Sequence, residues 1–379
     1  MKIALFCGGR GSATIIRALL RRPDIELTLL VNAYDDGQST GALRSFIPGM
    51  LGPSDFRKNL SWLLSDASDA PYASLMEYRL PESTGVSEIE KLARFTRTGD
   101  LALLDAPLKG WFASLPPALA SRLQALLGRF FDHAVGAAFD YRDCSLGNLV
   151  FAGAYLMHGH DFNAAVAEVA ALVGSRARLL NVAEGQNRIL VALKADGTLL
   201  ASEAEIVGPQ SSVPIADFYL LKQPLTEKDH EALAAMDVAG KQNFLVARND
   251  TPPLSPEAAH ALAKADVILY GPGTQHSSLL PSYRIAAAAL AAAPAPVKAL
   301  TVNLASDNDI QGLSVIDILG RAIAHGAAIT EILVDQGARL PVPDGDCCDG
   351  ARIVRGVFAD AGNPGLHDGD AVVRHLAGA

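Results

Sequence analysis

The 379-residue chain is 50% hydrophobic and only 19% charged, a composition that buries a large core and excludes extended disorder. Its 32 basic and 41 acidic residues sum to −9 with no long run of one sign. That excludes a non-specific nucleic-acid binder, whose phosphate contacts need a basic face. The mean hydropathy of +0.21 comes from alanine-rich segments. The most apolar of them, Ile285 to Ala293, is stopped by Pro294, where a spanning helix needs about twenty residues, so no membrane partner is expected. The first apolar segment runs straight into glycines and is too short for a signal peptide, which makes a cytoplasmic location the expectation. Cys7, Cys144, Cys347 and Cys348 lack zinc-knuckle spacing and read as reduced thiols.

In chain order, Lys2 to Cys7 is an apolar run suited to a strand buried on both faces. Gly8-Gly9-Arg10-Gly11-Ser12 interrupts it, and Ala13 to Arg22 carries apolar residues at helical spacing up to Pro23. Glu26 to Asn32 is a second strand, which makes the opening a βαβ unit. A polar loop, Tyr34 to Gly41, follows, then a short helical signal from Asn59 to Leu64 and a proline-punctuated helical region from about Ser87 to Phe139. A helix is expected over Leu149 to Met157. Leu179 to Glu184 and Arg188 to Lys194 read as antiparallel strand material around the turn Ala195-Asp196-Gly197. Strands are expected at Asp266 to Tyr270, Val297 to Asn303 (running into Ala305 to Asp309), Ile329 to Asp335 and Ala351 to Phe358, with helices over Ser277 to Leu280, Ser314 to His325 and Asp370 to Leu376. Strands alternating with helices predict an α/β fold: one domain over 1–379 with a doubly wound, mostly parallel Rossmann-like sheet and a helical insertion at about 65–140.

In such a sheet ligands bind beyond the carboxyl ends of the strands. Four loops there are unusually polar or glycine-rich. Gly8, Gly9, Arg10, Gly11 and Ser12 offer backbone N–H groups at a helix start, fit for a phosphate or for a plain tight turn. Asp35 and Asp36, with Gly37, Ser39 and Thr40, are placed to hold a ribose or a hard cation such as Mg²⁺, or to form an Asx turn and cap. Asp55 either joins a metal or caps the helix after it, and Arg57 can take a phosphate bidentately. Asn148 follows Ser145-Leu146-Gly147. Gly271, Pro272, Gly273 and Thr274, with Ser278, follow a buried strand, and Asn303 ends another. His158 and His160 read as a solvated helix end, Cys7, Trp62 and Trp111 as packing residues. No nucleophile elbow is present.

Taken in order, these loops resemble the CofD/YvcK family, which contains 2-phospho-L-lactate transferases of deazaflavin coenzyme biosynthesis and gluconeogenesis-factor-like proteins that bind UDP-sugars. Gly8 to Ser12 is similar to the family's opening glycine turn, and Asp35 to Arg44 to its DDGGSSGRLR segment. Pro53 to Arg57 with Leu60 resembles PGDIRNCL, Gly147-Asn148 the Gly-Asn before a helix, and Gly271 to Thr274 with Ser278 and Pro281 the GPGSLYTSIIP stretch. Arg10, Gln38 and Lys58-Asn59 depart from the family pattern.

The resemblance implies a nucleotide-linked ligand, either a GDP-type donor or a UDP-sugar, in the first and fourth loops. In the transferases it further implies Mg²⁺ on acids matching Asp36 and Asp55, with Arg57 as the third catalytic group. The expected activity is transfer of a phospho-acid unit from a nucleoside-diphosphate-linked donor to a deazaflavin-type hydroxyl, releasing GMP. The alternative is a non-catalytic UDP-sugar-binding regulator. A homodimer is a further expectation carried by the resemblance.

Overall fold

In the computed structural model residues 1–64, 69–305 and 307–378 are described, without the side chain of Gln38. The first four residues of the expected insertion, 65–68, and Ser306 in the loop ahead of Asp309 therefore lie outside the described residues. The contacts divide the chain into two compact units, Met1–Tyr34 with Arg176–Ala379, and Asp35–Ser175.

The first unit holds strands β1 (Lys2–Phe6), β2 (Glu26–Val31), β3 (Arg178–Asn181), β4 (Ile189–Lys194), β5 (Leu199–Leu200), β6 (Ile215–Leu221), β7 (Val267–Tyr270), β8 (Val297–Thr301), β9 (Glu331–Asp335), β10 (Cys347–Cys348) and β11 (Ala351–Gly356). Eight of them form one sheet in the order β10-β11-β9-β8-β7-β1-β2-β3, parallel throughout except at the β10–β11 edge. The fold is thus α/β with a mostly parallel sheet, as the apolar strands required. Ile3 to Phe6 and Val267 to Tyr270 are all 3% exposed or less, because a parallel sheet covered on both faces leaves no polar side to alternate with. Phe6 stacks on Tyr270 with centroids 5.6 Å apart, and the Tyr283 ring meets both edge-on.

One pairing differs from expectation. Leu179 to Glu184 is not antiparallel material: its strand, β3, runs parallel to β2 in the main sheet. β4 instead turns at Ala195-Asp196-Gly197 into β5 and pairs antiparallel with β6, as a separate three-stranded sheet. Apolar patterning marks a strand but does not choose its partner.

The second unit is helical. Gln38–Phe46, Ser54–Leu63, Ala70–Glu77, Val86–Thr98, Ala106–Ser114, Pro117–Ala134, Leu146–Met157 and Phe162–Ala171 are its α-helices among the described residues. The helix Leu146–Met157 is buried all round up to Leu156. Gly153 allows this, since a Cβ there would strike the carbonyl of Leu126 on the longest neighbouring helix. Trp62 and Trp111 are half-buried rather than in the core. Among the described residues no helix is long and apolar enough to cross a membrane.

Candidate functional site

The first unit brings the first and fourth predicted loops together. β1 lies between β2 and β7 and the two directions of winding diverge from it, so the turns after β1 and β7 stand at the topological switch point where open α/β sheets bind ligands. Their registers end together: Phe6 pairs with Tyr270, and the Gly271 amide donates to the Phe6 carbonyl at 2.9 Å. Glycine is required at this contact. A Cβ on Gly11 would lie 2.5 Å from the Pro272 oxygen, and one on Gly271 2.5 Å from Ser12 Oγ. Ser12 is buried and donates to the Pro272 carbonyl at 3.3 Å, while Arg10 is exposed.

Asn303, at the end of β8, clamps the fourth loop from both sides. Its Oδ1 accepts from the Gly273 amide at 3.0 Å and its Nδ2 donates to the Gly273 carbonyl at 3.1 Å. The hydroxyls of Thr274, Ser277 and Ser278 bond to one another. A π-helical turn, Gln275–Leu279, then leads into the helix Leu280–Ala292. Such turns recur at functional sites.

Behind that turn is a constellation that sequence reasoning missed. His276 and Asp309 are both buried. The Asp309 carboxylate accepts from the His276 amide at 2.9 Å and contacts Nδ1 at 2.8 Å, while Arg321 lies 3.1 Å from Nε2. A guanidinium can only donate, so in this arrangement Nε2 accepts from Arg321 while Nδ1 faces the Asp309 carboxylate. Nearby, Arg284 bonds Asp217 at 2.7 Å and His325, whose pKa is lowered to about 4 by burial and by the Arg284 charge. These partners are tens of residues apart in sequence, and no local pattern joins them.

The second unit gathers the second and third predicted loops and Asn148. The backbone of Asp35-Asp36 is held closely: Cβ atoms on Gly41 and Gly52 would collide with the Asp36 and Asp35 carbonyls respectively. Arg44 donates to the Asp35 carbonyl at 3.0 Å. The half-buried Asp35 carboxyl has its pKa raised, first by burial and then by the charge of Asp55. Lys58 and hydrogen bonds from Thr40 and Ser54 oppose the shift. The Asp55 charge thus acts on Asp35, the neighbour of the Asp36 singled out by resemblance. For Asp36 the structure gives the carbonyl packed on Gly41.

Asp55 does not act as a cap. Pro53 is the N-cap of Ser54–Leu63, and Asp55 sits inside the first turn, where the helix dipole favours an anion. It bonds Lys58 Nζ, one turn on, at 2.9 Å. Thr40 and Ser54 hydroxyls lie 2.6 Å apart, and Asn148 Nδ2 reaches Ser39, Thr40 and Ser54 at 3.2, 3.4 and 3.4 Å. Arg57 is almost fully enclosed. It pairs with Glu77 at 2.5 Å and donates to Asn148 Oδ1 at 3.1 Å, so its guanidinium organises the cluster from within. Gly147 makes room for it, since a Cβ there would lie 2.5 Å from Arg57 Cδ. Lys58, three residues after Asp55, was legible in the sequence as an i,i+3 partner and was missed, as was Glu77.

Ser39 also lines an open polar cavity of about 360 Å³ with Glu82, Asp140, Arg142 and Asp143. Cys144 is buried, with its pKa pushed up to about 12 chiefly by desolvation, which makes it inert as a nucleophile. His158 bonds Glu168, and His160 stacks on Tyr155. Among the described residues no group of three or more His, Cys, Asp or Glu is placed to hold a metal.

The family model described as 2-phospho-L-lactate transferase CofD matches residues 3–343, nearly the whole chain and all of the loops above. The chain belongs to the CofD family. Among curated relatives it is 25% identical over 283 residues to a putative gluconeogenesis factor of Streptococcus pneumoniae, covering 74% of this chain and 61% of that protein. It is 24% identical over 281 residues to the gluconeogenesis factor of Bacillus subtilis, covering 74% and 60%. The match thus spans about three fifths of the length of these relatives. A crystal structure of a UPF0052 family protein from Bacillus halodurans superposes with a TM-score of 0.66 at 20% identity over 99% of this chain and 98% of that one, which establishes the shared fold.

Proposed function

We propose that this CofD-family chain is a Mg²⁺-dependent transferase that moves a phospho-acid unit from a nucleoside-diphosphate-linked donor to a deazaflavin-type hydroxyl. The observation that carries this reading is Asp35: a carboxyl with a raised pKa, beside a second carboxylate and ringed by hydroxyls. Perturbed acids of this kind mark catalytic sites. In the transfer the acceptor oxygen bonds to the phosphorus, the hydroxyl proton passes to solvent, and the phosphorus–oxygen bond to the departing GMP breaks.

Positioning and neutralisation of charge dominate such reactions. The residues that would hold Mg²⁺ are Asp35 and Asp55. The donor set fits, since it is all oxygen, Mg²⁺ uses one or two carboxylates and keeps several waters, and Asp55 and Asp35 repel each other in a way a cation relieves. When bound, the ion would polarise the diphosphate and offset its charge. Thr40, Ser54 and Asn148 orient the Asp35 carboxyl, and Arg57 fixes Asn148. In the other unit, the amides of Gly8 to Ser12 and Gly271 to Thr274, with Ser278 and Asn303, supply an anion cradle at the switch point.

The test is to mix the protein with a GDP-linked phospho-acid donor, a deazaflavin acceptor and Mg²⁺, and to follow GMP release. The curated relatives are named gluconeogenesis factors, and the second reading, which the family resemblance implies for such proteins, is a UDP-sugar-binding regulator. UDP-N-acetylglucosamine binding by calorimetry, with no GMP released from any donor, would decide for it.

A further inference from the structure

The acid pair already has a cation of its own. Lys58 stands one helical turn after Asp55, its ammonium is 2.9 Å from Asp55 Oδ1, and both Asp55 and Asp35 act on it electrostatically. The neighbouring Arg57 is turned away to Glu77 and Asn148. Lys58 is thus the side chain on this helix whose charge is spent on the pair. With its side chain about a quarter exposed and that of Asp55 about a tenth, the contact is only partly screened by water, and unit charges at such range interact strongly.

We propose that Lys58 is a resident counter-cation that competes with a divalent ion for the Asp35–Asp55 pair. The ammonium must leave Asp55 before an ion is held there. The lysine therefore sets how much free divalent cation the protein requires, and it keeps the acid pair folded and charge-compensated when no ion is bound. A lysine suits this role, since its flexible stem lets the point charge swing away while the carboxylate stays fixed by its helix. The inference rests on the reading that the pair binds a divalent cation.

The probe is Mn²⁺ alone, titrated by calorimetry or by loss of its free-ion paramagnetic resonance signal, with no nucleotide present. Lys58→Met, which keeps the stem and removes the charge, should bind Mn²⁺ at least about tenfold more tightly than the wild type. Lys58→Arg, which keeps the charge, should bind it as weakly as the wild type. Adding Asp55→Asn to Lys58→Met should abolish the gain. Lys58→Gln serves if the methionine variant misfolds by circular dichroism. Equal Mn²⁺ affinity in wild type and Lys58→Met overturns the inference alone, as does a gain that survives Asp55→Asn. No Mn²⁺ binding by either protein overturns the divalent-ion reading along with it. Absence of GMP release with the Mn²⁺ results intact would sink the transferase reading and leave the role of Lys58 standing.

Discussion

Two clusters of buried polar residues, one in each unit, are built on opposite plans. Around His276 the polar groups are closely paired: Asp309 accepts from the His276 amide and lies 2.8 Å from the ring, and Arg321 lies against the ring's other nitrogen. Around Asp35 two carboxylates stand beside one ammonium, and burial, then the charge of Asp55, raises the Asp35 pKa against the pull of Lys58. A satisfied network in low dielectric rigidifies what it holds. An unbalanced one stores electrostatic free energy that a ligand, a proton or a cation can release. The first is a brace for the fourth loop, the second a site.

The largest test of that contrast is Asp309→Ala. It strands the His276 amide and the ring nitrogen that faces the carboxylate, so unfolding should become easier by about 1–3 kcal/mol for each buried group left unpaired. The denaturation midpoint of the first unit reports it. Little loss there would mean that the His276 cluster is no brace.

Asp35→Asn should do the reverse, lowering Mg²⁺-dependent turnover by at least about tenfold while leaving stability unchanged or raised. The sign follows from linkage. The folded pKa lies above the ordinary 3.8, so the folded state holds this proton more tightly than the unfolded chain. Stability then falls as pH rises from 3.8 through the raised value. The asparagine variant should lose that decline, which thermal melts from acid to neutral pH would show.

His325→Gln probes the brace at smaller scale. Burial and Arg284 lower the histidine's pKa from 6.5 to about 4, so the folded state binds this proton less well, and stability is lost as pH falls across that window. The variant should be less acid-sensitive there. An unchanged acid limb would show that other groups set it.

The sequence showed the sheet more clearly than the chemistry, for a physical reason. Strands buried on both faces must be apolar throughout, so β1, β2, β7 and β8 announce themselves, and the turns after β1 and β7 need glycine because their backbones touch. A partner strand leaves no such mark, which is why β3 read as antiparallel and proved parallel. That the charge of Asp55 reaches Asp35 depends on a turn whose path no pattern encodes. The i,i+3 spacing of Asp55 and Lys58 was readable, since both fall on one helix face. The His276–Asp309 contact, closed across a sheet, was not.

The smallest expected effect separates the two plans most finely. Asn148 Nδ2 has three hydroxyls within reach, Ser39, Thr40 and Ser54, so Ser39→Ala leaves the amide with two and should cost less than about 1 kcal/mol. Asn148→Ala instead removes the acceptor of the buried Arg57 Nε and should cost more, about 1–3 kcal/mol. If the two substitutions prove equally costly in denaturant titrations, the hydroxyls around Asp35 are bound as rigidly as the His276 network. In that case the second cluster, like the first, is a brace.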